Sequence, residues 1–177
     1  MKNNIFYLIL VIFILFLSRI IPHPPNFTPI LGTAIMAPAL FKSKSTGILV
    51  IITSMFISDI VLGFHSYQIV IYLTIIGITL FASINQNYKK VLLISIAGST
   101  CFFITTNFAV WAMWDFYEKN LYGLYKCYLL ALPFFGNTLI STFLFASIIL
   151  IFLKNLEKIN EKFNDIIMRN FNKLNKY

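Results

Sequence analysis

Pro22-His23-Pro24-Pro25-Asn26-Phe27-Thr28-Pro29 separates an apolar run, residues 5–21, from a second one ending at Phe41. Proline has no backbone N–H, fixes its own φ and pushes the residue before it out of the helical region. Four prolines in eight positions therefore stop a helix far more firmly than an exit from a membrane requires. How this stretch is read decides the fold. If residues 22–41 cross a bilayer, the chain is a six-helix bundle; if they only dip into it, five helices cross.

Composition gives the frame for that choice. The 177 residues are 59% hydrophobic and 11% charged, with a mean hydropathy of +0.82. Soluble domains run at about 45–50% apolar and 25% charged, and a core of this size could not hide the excess. Lipid must act as solvent, which makes this an all-α integral membrane protein. The net charge of +8 does not point to nucleic acid, because the basic residues lie between apolar runs or in the tail and form no patch on a soluble domain. Cys101 and Cys127 have no metal-type spacing and are too few for a disulfide framework. Cys101, inside an apolar run, is expected to be a small buried hydrophobe.

Six apolar segments stand out: 5–21, 27–41, 45–63, 67–84, 91–114 and 129–153. The first ends in Ser18-Arg19-Ile20-Ile21-Pro22 without a small-residue cleavage site, so it reads as a retained helix and not as a processed leader. Five segments meet the ~17–25 residues a span requires. The second falls short and spans only by taking in the proline stretch, as 22–41; a re-entrant segment buried by its neighbours is the competing reading.

The positive-inside rule does not choose between them. With six spans, Lys2, Lys42, Lys44, Lys89, Lys90, Lys154, Lys158, Lys162, Arg169, Lys173 and Lys176 share one side, against Arg19, Lys119 and Lys126. With five spans only Lys2 and Arg19 exchange sides. Chemistry does choose. Six spans put 22–26, the turn Gly63-Phe64-His65-Ser66 and the connection 115–128 on one outer face, gathering both histidines with Asp59, Asp115 and Glu118 in or beside them. The expected architecture is thus six spans, both termini cytoplasmic, and a rigid proline lip over an outward pocket. Residues 154–177 carry Leu156, Ile159, Phe163, Ile166, Ile167, Phe171 and Leu174 at helical spacing opposite Lys158, Glu161, Lys162 and Arg169. They read as a basic amphipathic helix on the lipids of the inner leaflet.

Several polar residues sit where lipid would otherwise be met. Asp59 lies about one turn from the end of its segment, where a carboxylate must be hydrated or paired; it could line a site, cap the next helix or hold Arg19. His23, fixed between two prolines, and His65 suit ligand contacts, while two histidines without a close-spaced motif argue against a metal. Asn107 and Trp111 are four apart and share a helical face. Trp111 also fits an interfacial aromatic belt with Trp114 and Tyr117, and Asn107 could equally join helices or touch a ligand. Pro133 is expected to kink or open the sixth helix ahead of Asn137. No phosphate loop, nucleophile elbow or acid–base pair is present, so no enzymatic activity and no cofactor is expected.

Four motifs in order, Pro22 to Pro29, Ser58-Asp59-Ile60-Val61-Leu62-Gly63-Phe64-His65, Thr106-Asn107-Phe108-Ala109-Val110-Trp111 and Pro133-Phe134-Phe135-Gly136-Asn137-Thr138, resemble an uncharacterised family of small bacterial multi-pass inner-membrane proteins. More loosely, the layout is similar to the S components of energy-coupling-factor vitamin transporters. That likeness implies six helices, a ligand held between outer loops and helix ends, and an energising partner membrane subunit docked through small residues four apart. The pair at that spacing here is Thr33 and Ala37. The expectation is an S-component-like protein that binds and helps take up a small molecule, a vitamin or precursor, with His23, Asn26, Asp59, His65, Asn107 and Trp111 lining the pocket. The other class is a structural or accessory membrane subunit whose motifs only pack loops together.

Overall fold

A computed structural model describes residues 5–174, with side chains placed through Ile167. Among the described residues it holds six helices and no strand: α1 (Ile5–Ile20), α2 (Ile30–Phe41), α3 (Lys44–Leu62), α4 (Gln68–Phe81), α5 (Tyr88–Met113) and α6 (Leu121–Leu174). Three of them, α3, α5 and α6, are long and apolar enough to cross a membrane, which marks the chain as a membrane protein.

Side-chain caps set several boundaries. Ser43 accepts from the Thr46 amide at 3.2 Å to open α3, and Asn87 accepts from that of Lys90 at 2.9 Å to open α5. Both satisfy first-turn donors that the helix itself leaves free. Asn120 Oδ1 accepts from the Gly123 amide at 2.8 Å at the start of α6, so that helix begins eight residues before the expected 129. The second segment is shorter than expected, because no helix forms over 22–29. The prolines withhold the necessary donors, and Pro29 becomes the N-cap position of α2.

Neighbouring helices alternate in direction. Tyr7 meets Phe41, Gly47 lies on Ala37, Lys44 Nζ reaches the Leu80 carbonyl, Thr74 meets Thr105, and Lys154 sits over the Tyr88 ring. The helix at the centre is the short one. All twelve residues of α2 are buried, and it touches α3, α4, α5 and α6. Small residues permit this. A Cβ on Gly32 would come within 2.9 Å of the Thr142 carbonyl of α6, and one on Gly47 within 2.7 Å of the Ala37 Cβ. Backbones that close gain packing along their whole length. An apolar helix with no polar face belongs inside other helices, and α2 is such a helix. Thr33 and Ala37 are 3% and 0% exposed, so neither can serve as a docking face for a partner subunit. By contrast α1 packs chiefly on α3.

One further expectation is corrected. Cys101 is exposed on α5, and it is Cys127 that is buried; an apolar run tells depth but not which side of the helix faces the core. Pro133 lies within α6 without ending it, although it leaves the Leu129 carbonyl without its usual helical donor. Residues 154–174 continue α6 with no break after 153, since neither Gly nor Pro occurs beyond Gly136. Lys2 and Lys176 lie outside the described residues, as do the side chains of Arg169, Phe171, Lys173 and Leu174.

Candidate functional site

A central helix of twelve residues is about 18 Å long at 1.5 Å per residue, and its neighbours run past its start. The space above Ile30, along the bundle axis, is therefore unfilled. It forms a cavity of 580 Å³, within the ~300–1,000 Å³ of small-molecule sites. Pro25, Asn26, Thr28, Ile30 and Leu31 line it from below, and side chains from α1, α3, α4, α5 and α6 form its walls.

The proline stretch closes the bottom of this cavity and does not roof it. Asn137 Nδ2 donates to the Pro25 carbonyl at 2.9 Å, and Ser141 Oγ to that of Asn26 at 3.4 Å. These residues lie sixteen and twenty positions beyond the start of α6, roughly 24 and 30 Å along the helix. The stretch is held there by a turn in which the Phe27 amide donates to the Pro24 carbonyl at 3.0 Å. Pro25 takes the second position and Asn26, at φ 61°, the third, where a left-handed conformation is required and Asn tolerates it. The expected lip is thus a floor, because α2 begins so deep.

One wall carries a charge. Arg19, near the end of α1, donates through Nη1 to the Met55 carbonyl (3.0 Å) and to Ser58 Oγ (2.6 Å), and its Nη2 lies 2.6 Å from Asp59 Oδ1. Gln68 and Tyr72 donate to Asp59 Oδ2. The carboxylate is fully buried and its partners surround it, as a charge in an apolar bundle must be. Arg19 lines the cavity; Asp59 stands behind it. A role as Arg19's anchor, the simpler of the sequence expectations, describes its position.

The chain matches a family of unknown function (DUF6580) over residues 1–163. The chain belongs to that family. No curated protein and no solved structure matches it.

Four of the six candidate residues of the DUF6580 chain reach the cavity: His23, Asn26, His65 and Asn107. His23 is turned partly back on its own loop, Nδ1 lying 2.8 Å from the Pro24 carbonyl. The His65 ring packs edge-on to Tyr67, 4.6 Å between centroids. Asn107 donates to the Phe103 carbonyl at 2.8 Å. Asp59 and Trp111 do not line the cavity. Trp111 Nε1 donates to the Glu118 carbonyl at 2.9 Å, and Lys119 Nζ reaches the Trp111 and Trp114 carbonyls at 2.5 Å. That indole secures the connection between α5 and α6.

Reading the sequence missed other lining groups of the DUF6580 chain. Thr106, Ser141, Tyr117 and Cys127 all face the cavity. Thr106 and Ser141 could have been noticed as hydroxyls inside apolar runs. Burial raises the Tyr117 phenol above its ordinary value, with the adjacent Cys127 adding to the effect; the group stays a neutral hydrogen-bond donor at pH 7. Cys127 Sγ lies 3.5 Å from the Asn107 carbonyl. Among the described residues no cluster of His, Cys, Asp and Glu could hold a metal ion. The arrangement suits reversible binding of a partly apolar molecule.

Proposed function

We propose that this is a six-span bacterial inner-membrane protein, both termini cytoplasmic, that binds and helps take up a small molecule through an outward-facing pocket. The observation that carries the reading is the cavity above α2, where the proline stretch, the turn after α3 and the connection before α6 meet. Orientation follows from the lysines. Lys42, Lys44, Lys89, Lys90 and Lys154 lie at the end opposite the cavity, and basic residues favour the cytoplasm. Helices α1, α2 and α4 are short, but α2 is sheltered from lipid by its neighbours, so its non-helical approach over 22–29 is tolerable at membrane depth.

Native mass spectrometry of the detergent-solubilised protein tests the proposal. A copurifying small molecule, lost when His65 and Asn107 are both changed to Ala, is the expected result. A second reading, an accessory subunit whose motifs only tie loops together, draws on the bonds from Asn137 to Pro25 and from Trp111 to Glu118. It predicts copurifying proteins and no small molecule. In either case Thr33 and Ala37 are inaccessible, so a partner would have to use another face.

A further inference from the structure

Charge on the cavity wall narrows the ligand class. Among the described lining residues Arg19 is the one permanently charged side chain, and no Asp or Glu is present. A guanidinium has five N–H donors in a planar fork. Met55 and Ser58 accept from Nη1, Asp59 pairs with Nη2 at 2.6 Å, and the arginine still borders the cavity with its side chain 16% exposed. Asp59 holds the fork in place while Gln68 and Tyr72 occupy its other oxygen. The floor adds to the same sign. α2 opens at Pro29 without a side-chain cap, so its first-turn amides, from Ile30 and Leu31 in the cavity lining, carry the positive end of the helix. Phe102, Phe103 and Phe134, also in the lining, offer aromatic surface.

Resting on the pocket reading above, we infer that the ligand is a planar, largely apolar monocarboxylate, its carboxylate at Arg19 and its rings against the phenylalanines of α5 and α6. The donors left on the arginine's fork, beside the positive end of α2, suit one negative charge and two coplanar oxygens, the match for bidentate recognition. A cation would meet no carboxylate in the lining, since Asp59 is taken up by Arg19, Gln68 and Tyr72.

The test uses the purified full-length chain in detergent and three probes of one shape: 1-naphthylacetate, 1-naphthylacetamide and 1-naphthylmethylammonium. Binding is read by thermal shift and by quenching of tryptophan fluorescence at pH 7. The acid is expected to bind at least tenfold more tightly than the amide, and the amine not at all. Arg19→Lys keeps the charge beside Asp59 but loses the fork, and should remove most of the acid's advantage over the amide, a ratio that a general loss of stability would not change. Equal binding of acid and amide, or preference for the amine, overturns the inference while leaving the pocket standing. Absence of binding by all three overturns it as well, and the mass-spectrometric search for a copurifying molecule then judges the pocket separately.

Discussion

Arg19 Nη2 and Asp59 Oδ1 lie 2.6 Å apart, joining the end of α1 to the end of α3 beside the cavity. Since α1 packs chiefly on α3, this ion pair and the bonds from Arg19 to Met55 and Ser58 fix where the first helix ends. Removing one partner leaves a buried charge unpaired. Asp59→Ala and Arg19→Met should each destabilise the protein by about 3–5 kcal/mol. The double substitution should cost clearly less than the sum, because no orphan charge remains. Thermal denaturation in detergent across the four-membered cycle measures this; strict additivity would show that the pair is solvated.

The central position of α2 predicts a contrast among glycines. Gly32→Ala and Gly47→Ala force a Cβ against the Thr142 carbonyl and the Ala37 Cβ, and should cost about 1–3 kcal/mol each by overpacking. Gly77→Ala and Gly136→Ala meet nothing within 4 Å. In helix interiors they should gain roughly 0.5–1 kcal/mol. Melting temperatures of the four variants moving together would contradict the burial of α2.

Asn26 gives a backbone test. At φ 61° Asn26→Gly should be accepted, whereas Asn26→Val should lose about 1–3 kcal/mol through strain. Asn137→Ala removes the bond to the Pro25 carbonyl and should cost about 0.5–1.5 kcal/mol. Limited proteolysis of the 22–29 stretch reports on both; equal protection in the Val and Gly variants would count against this turn.

Side chains that line the cavity should separate from those that support it. His65→Ala and Asn107→Ala should weaken ligand binding about tenfold, ~1.4 kcal/mol, with little change in melting temperature. Trp111→Phe should do the reverse, since the indole holds the Glu118 carbonyl and touches no cavity. Isothermal titration with the copurified molecule, beside melting curves, distinguishes the two outcomes.

Topology can be read with single cysteines in a background of Cys101→Ala and Cys127→Ala. Ser66→Cys and Tyr122→Cys should react with an impermeant maleimide from outside intact cells, and Lys42→Cys and Lys89→Cys only after lysis. Labelling of Lys42→Cys from outside would reverse the orientation proposed.

Local chemistry made much of this fold legible. Apolar runs located α1, α3 and α4 to within a few residues, because in a membrane hydropathy and helix formation have a common cause: backbone donors must be satisfied within the segment. The prolines at 22–29 correctly stopped a helix. The start of α6 was missed, although Asn120, three residues before Gly123, is a capping signal; the tyrosines and Lys126 that follow lower the hydropathy there. Of the candidate residues, His23, Asn26, His65 and Asn107 were noticed because polar groups in or near an apolar run are costly without a purpose. The same argument selected Asp59 and Trp111, which use their polar atoms on Arg19 and on Glu118. Cost identifies a polar group in need of a partner; it does not say whether that partner is a ligand or the protein.

The sequence by itself determined the class of molecule, the helical segments and the place where the chain cannot be helical, since each depends on residues close in the chain. Tertiary structure alone decided that the shortest helix is the central one. That follows from Gly32 and Gly47 admitting the backbones of α6 and α3, and from α2 being apolar all round. Once a helix of twelve residues stands among longer ones, an unfilled volume above it is unavoidable. The proline stretch, tied to Asn137 and Ser141, then becomes the floor of a cavity, because the helix it leads into begins that far down.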